Sequence, residues 1–337
     1  MKAWILEKQA SIEERPLKLV EVPTPHARDD EVRLRVLVCG VCRTDIHIAE
    51  GDLPLRKSPI ILGHEIVGVV DEVGEKVERF RIGDRAGVYW LHSACGQCKY
   101  CLSQQENYCP QVKCTGWDVD GGYAEYVTAP AAYALPLNGV QMSPVEIAPL
   151  MCPGIAGYAA FKLTGAREGD KLGLYGFGPT AYYVLKVARH LGIEVYVSSR
   201  SRKNIEAARR EGARWAANAA EEKMPCRLDA AVLFPPAGNL VEPILSQLRR
   251  GGVLVMAPVS ASPIRIENYS ESLWGRDIRT LYNLKRSDAE GFFEIVDCLV
   301  SEMGTRLFPF EELPEALIRA RQGKLEQLNA VIKVSDW

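Results

Sequence analysis

Polar and apolar residues alternate along Glu31-Val32-Arg33-Leu34-Arg35-Val36-Leu37-Val38, the mark of a half-buried strand. The stretch 66–74 is β-branched and punctuated by glycine, and Gly83-Asp84-Arg85-Ala86 reads as a turn. Short strands separated by turn signals predict a β-rich, barrel-like first part. Near residue 153 the rhythm changes. Strands at 171–175, 194–198, 229–234 and 252–256 alternate with helices over 182–191 and 202–211. Strand alternating with helix predicts a parallel, doubly wound sheet, so the fold class is α/β with two domains. A further helix is expected over 288–302, and the tail 330–334 has strand character. There is no internal repeat and no low-complexity segment.

Composition narrows the picture. The chain has 337 residues, 47% apolar and 25% charged, enough for two ordinary cores. A net charge of −2 gives no basic footprint for nucleic acid. The N-terminal apolar run meets Glu7 too soon for a signal peptide, and no segment is long enough to span a bilayer. A cytoplasmic location is therefore expected. In that compartment ten cysteines fit metal ligation better than disulfides.

Four of them, Cys95, Cys98, Cys101 and Cys109, are spaced C-x2-C-x2-C-x7-C around a turn. Thiolates so close can converge on one tetrahedral Zn²⁺ with no open position, which is a structural site. A [4Fe–4S] cluster uses similar spacings and is the rival. Cys39, His64 and Cys152 form a second candidate set. Two thiolates and an imidazole leave a fourth position open, as in catalytic zinc. Taken alone the set is weak, since a lone buried cysteine is more often a small core hydrophobe. Cys39-x-x-Cys42 also reads as a redox pair. Gly176-Phe177-Gly178-Pro179-Thr180-Ala181 lies between a strand and a helix and matches G-x-G-x-x-A, a form of the dinucleotide fingerprint. Gly176 makes the turn, Gly178 admits a pyrophosphate, and Ala181 allows close packing. At the end of the second strand an NAD enzyme usually carries a carboxylate. Here Ser199 stands, followed by Arg200, Ser201, Arg202 and Lys203. Cations at a helix start oppose its dipole unless a phosphate binds them, so NADP(H) is favoured over NAD(H).

The strings CGVCRTDIH, GHEIVGVV, CGQCKYC with Cys109, TGWDVDGGYAEY and CPGIAGY resemble the zinc-containing alcohol dehydrogenases of the medium-chain dehydrogenase/reductase superfamily, in that family's order and over essentially the whole chain. The resemblance implies a GroES-like catalytic domain at 1–153 and 285–337, and a Rossmann domain at 154–284. It implies two Zn²⁺ per chain, a small alcohol or aldehyde substrate, and a homo-oligomer, tetramer or dimer. Thr44 would touch the substrate oxygen and His47 would act as the surface base of a proton relay. Asp45 would orient His64, and Glu65 would approach the metal. Arg43 matches a pyrophosphate-binding position, and Trp90 and Trp117 match the pocket wall and entrance. The chain departs from many relatives at Ala156, where a threonine is usual, at Asn329, where an arginine is usual, and at the bulky Tyr182-Tyr183. A polyol dehydrogenase is the alternative within enzymes, and a non-catalytic zinc protein on the same fold is the alternative outside them.

Overall fold

The computed structural model describes residues 1–299 and 304–336. Its most connected strand, Glu31–Gly40, follows from the alternation at 31–38 and runs two residues further. It pairs antiparallel with Ile66–Val73, Tyr126–Pro130 and Asn329–Lys333. Val32, Leu34, Val36 and Val38 are fully buried, while Arg33 and Arg35 reach toward polar partners at its outer end. From Leu37 onward both faces are covered, so the end of the strand sits deep in a β core. These strands belong to a seven-stranded sheet, with a three-stranded sheet beside it in the same unit.

The chain divides into two compact units, Met1–Cys152 with Asn283–Trp337, and Pro153–Tyr282. The second unit is the doubly wound sheet that the strand–helix alternation predicts. Its six strands are all parallel. Their order is Trp215–Ala217, Glu194–Ser198, Lys171–Tyr175, Leu228–Leu233, Leu248–Met256, Asp277–Thr280. Numbered within the unit this is 3-2-1-4-5-6, the Rossmann order, which opens a crevice at the carboxyl end of the first strand. Tyr182 and Tyr183 are accommodated without exposure, at 0% and 1%, on the helix Pro179–His190.

The helix expected over 288–302 is different. Asp288 accepts a hydrogen bond from the Lys285 backbone, so the helix starts earlier and spans Arg286–Phe293. The β-branched Ile295 and Val296 follow, and the chain tightens into a 3-10 turn at Val296–Cys298. The end of the expected helix, 300–302, lies outside the described residues. Among the described residues, no helix is long and apolar enough to cross a membrane.

Candidate active site and metal centres

The strand Glu31–Gly40 ends at a glycine for a steric reason. A Cβ on Gly40 would lie 1.9 Å from Glu65 Oε2, so only glycine leaves room for that buried carboxyl. The chain then turns out of the sheet, and Cys42 caps the helix Arg43–Glu50. At this corner Cys42, His64, Glu65 and Cys152 bring one ligand atom each to within 4.8 Å of one another. The Sγ atoms of Cys42 and Cys152 are 3.6 Å apart. Zinc–sulfur bonds of about 2.3 Å in a tetrahedron generate an S···S edge of about 3.8 Å. His64 Nε2 is fully buried and, among the described residues, meets no hydrogen-bond partner, a donor atom left for something else. The donor set and its spacing therefore fit a zinc ion.

One expectation is corrected here. Cys42, not Cys39, joins His64 and Cys152. Cys39 is still inside the strand, its side chain packed in the β core, and burial pushes its thiol well up. The residue that faces the cluster comes after the Gly40 break, where the chain has left the sheet. For the same reason Cys39 and Cys42 are not a redox pair: the sulfur beside Cys42 is that of Cys152.

Asp45 orders the corner. Its Oδ1 accepts from His64 Nδ1 at 3.1 Å and from Gly63 N at 3.2 Å. Its Oδ2 accepts from Cys42 N at 3.0 Å and Tyr123 OH at 2.8 Å. A proton on Nδ1 leaves the Nε2 lone pair for a metal. Burial pushes the Glu65 carboxyl well up from its ordinary range. Thr44 Oγ1 lies 3.6 Å from Cys42 Sγ. His47, one turn along, has Nδ1 2.7 Å from Asp52 Oδ2. The Trp90 ring meets the His64 ring edge-on at 5.0 Å and stacks on Trp117 at 5.8 Å. The Arg56 guanidinium lies 3.5 Å above the far indole and pairs with Asp118 at 3.1 Å. Arg43 is exposed, and its Nη1 donates to Arg321 O.

The other four cysteines close a separate centre. Cys95, Cys98, Cys101 and Cys109 bring their sulfurs within 4.8 Å. Cys98 and Cys101 Sγ are 3.5 Å apart, Cys95 and Cys101 3.9 Å. These distances bracket the single-zinc edge, whereas an iron–sulfur cube would hold its cysteines farther apart around several irons. The backbone N–H groups of Gln97 and Cys98 hold Cys95 down to about 6, while burial pushes Cys101 up to about 12. Gln111 N and Cys95 N donate to Cys109 Sγ. The loop is tied at its base by pairing of Leu91–Ser93 with Lys113–Cys114.

In the second unit a cavity of about 990 Å³ opens at the Gly176 turn. Gly176 has φ +87°, and a Cβ there would press on the Pro235 ring. A Cβ at Gly178 would meet nothing, so the space before the helix is open to a ligand. Gly178 caps that helix with no side chain and Pro179 follows, leaving the Thr180 and Ala181 N–H groups for an anion. Ala181 is buried at 1% beneath the turn. Ser199 and Arg200 line the cavity together with Asn218, Lys223 and Met224. Ser199 is buried and its Oγ accepts from Ser201 N. Lys203 is not among the lining residues. Lys223, which the sequence reading missed, comes from a loop with no periodic or motif signal.

The Alcohol dehydrogenase GroES-like domain model matches residues 28–139. The chain is 41% identical to the probable alcohol dehydrogenase AdhA of Mycobacterium tuberculosis, over 96% of this chain and 95% of that one. It is 34% identical to an alcohol dehydrogenase of Geobacillus stearothermophilus, over 92% and 94%. A solved cinnamyl alcohol dehydrogenase of Sorghum bicolor superposes with a TM-score of 0.87 at 25% identity, covering 99% of this chain and 97% of that one.

Proposed function

The chain belongs to the zinc-type alcohol dehydrogenases of the medium-chain dehydrogenase/reductase superfamily, and from that premise we propose that it interconverts a small alcohol and its aldehyde with zinc and NADP(H). The observation that carries the reading is the convergence of Cys42, His64 and Cys152 around an orphaned imidazole nitrogen. These three would hold the catalytic metal, with Glu65 beside it. A zinc held by these side chains would supply the acidity that lowers the pKa of an alcohol hydroxyl, and a nicotinamide held at the Gly176 turn would supply the hydride acceptor. Thr44 contacts the hydroxyl and passes its proton on. His47, three residues later on the same helix face, takes that proton and delivers it to solvent. Trp90 and Trp117 narrow the pocket toward small or flat alcohols. The four-cysteine loop holds a second, structural zinc.

The cofactor assignment rests on the cavity. Ser199 offers no carboxylate to an adenosine ribose and does not repel a phosphate. Arg200, which lines the cavity, would offer a planar fork to such a phosphate, and Lys203, in the first turn of the helix Arg202–Arg210, would add a point charge. The free edge strand Asp277–Thr280, with the exposed Trp274 nearby, supports an oligomer built from like chains, a dimer or tetramer. Thiols reserved as ligands support a reducing, cytoplasmic setting.

Steady-state kinetics with NADPH and NADH over a panel of aldehydes test the proposal. We expect kcat/KM for NADPH to exceed that for NADH by at least about tenfold, the worth of one charge-assisted bond. Arg200→Ala should erase most of the difference and Ser199→Asp should reverse it. A wild-type preference for NADH would overturn the cofactor assignment, and no reduction with either cofactor would overturn the reaction.

A further inference from the structure

Asn283 opens the return of the chain to the first unit, just before the helix Arg286–Phe293. Its φ is +52°, a left-handed conformation that asparagine tolerates better than most side chains. The half-buried amide reaches partners on two sides, both in the same unit. Its Oδ1 accepts from Trp90 Nε1 at 3.1 Å, and its Nδ2 donates to Asn107 O at 3.4 Å. An indole N–H only donates and a carbonyl only accepts, so the two partners fix which way the amide points. Asn107 sits in the 3-10 turn Glu106–Tyr108 of the cysteine loop, directly before Cys109. The same turn grips the return segment a second time: the buried Glu106 accepts from Arg286 N through Oε1 at 2.8 Å.

We propose that Asn283 is a positioning residue for substrate specificity: mounted on the cysteine loop, it pins the Trp90 indole and so sets the width of the alcohol pocket; this rests on the pocket-wall reading of Trp90. The Trp90 backbone is fixed independently, since its carbonyl accepts from Thr115 N at 2.9 Å. What is left to settle is the swing of the ring about its side-chain torsions. The edge contact with His64 and the stack on Trp117 hold the ring by its faces, and such contacts tolerate sliding. A directional N–H···O bond to Asn283 does not. Asparagine meets all three demands at this position: a left-handed backbone, an acceptor toward the indole and a donor toward the Asn107 carbonyl. Aspartate would lack the donor, and glycine both polar groups.

The test is the selectivity of the zinc-loaded enzyme between a flat aldehyde, benzaldehyde, and a branched one, pivaldehyde. Asn283→Gly keeps the left-handed backbone and deletes the amide. With the indole released, kcat/KM for pivaldehyde relative to benzaldehyde should rise about fivefold, the worth of one neutral hydrogen bond, and mostly through KM. Asn283→Asp keeps an oxygen toward the indole and should restore part of the wild-type ratio. In a Trp90→Phe background, which has no indole donor, Asn283→Gly should shift the ratio no further. Equal shifts in the two backgrounds would overturn the proposal, since they mark a role that does not run through the indole. So would an equal loss toward both aldehydes, the mark of a merely structural residue. A wild-type ratio in Asn283→Gly beside an altered one in Trp90→Phe would overturn it while sparing the wall. A wild-type ratio in Trp90→Phe would remove the wall and this proposal with it. Should Asn283→Gly not fold, Asn283→Ser, too short to span both partners, carries the same comparison.

Discussion

Asp45 shows how much one side chain can organise. It is fully buried and accepts from His64 Nδ1, Gly63 N, Cys42 N and Tyr123 OH. It therefore links the helix start, the histidine turn and the β core, and sets the tautomer of a metal-facing ring. Asp45→Asn replaces one acceptor oxygen by a donor, so at least one of these bonds must fail. We expect zinc affinity at this centre to fall about 10- to 100-fold, measured by competition with a chelator. Unchanged affinity would show that His64 needs no such partner. Asp45 and His64 were legible in the sequence, because the strings around them carry a family's motif. The choice between Cys39 and Cys42 was not. Three residues apart, both are cysteines, and the difference is whether the strand has ended. Hydrophobic alternation shows that a strand exists but places its end only loosely. That end is decided here by Gly40, which yields its side-chain space to Glu65 from a distant segment.

At the scale of elements, the cysteine loop and the Gly176 turn were both readable because each is contiguous in sequence. Their chemistry needs residue types at fixed short spacing, and a single string holds all of them. The loop makes a clear prediction. Cys101→Ser should release its metal and lower the melting temperature by more than about 5 °C, because the structural ion contributes folding free energy. Differential scanning calorimetry decides; an unchanged melting temperature would make the four cysteines incidental. The helix Arg286–Phe293 was harder to read. Apolar residues continue past it through Ile295 and Val296, and their β-branching is too weak a local signal to place the end of the helix. Lys223 was invisible for another reason. It reaches the nucleotide cavity from a loop, and only the sheet order brings that loop beside Ser199 and Arg200.

At the scale of the whole molecule, the two units divide the work. The first holds both candidate metal centres, Trp90, Trp117 and the helix that carries Thr44 and His47; the second holds the Gly176 turn. The alternation of short strands and then of strand with helix made this division visible in the sequence. Of the ligand set around His64, the members at 64, 65 and 152 were read through the family's strings, and only Cys42 was missed in favour of Cys39. The account stands on that set, and on its containing Cys42 and not Cys39. Zinc per chain, measured by elemental analysis alongside alcohol turnover, tests it in wild type, Cys42→Ser and Cys39→Ser. The account predicts about two zinc ions in wild type and in Cys39→Ser, and about one in Cys42→Ser, with turnover lost in Cys42→Ser alone. Full zinc and turnover in Cys42→Ser would contradict it.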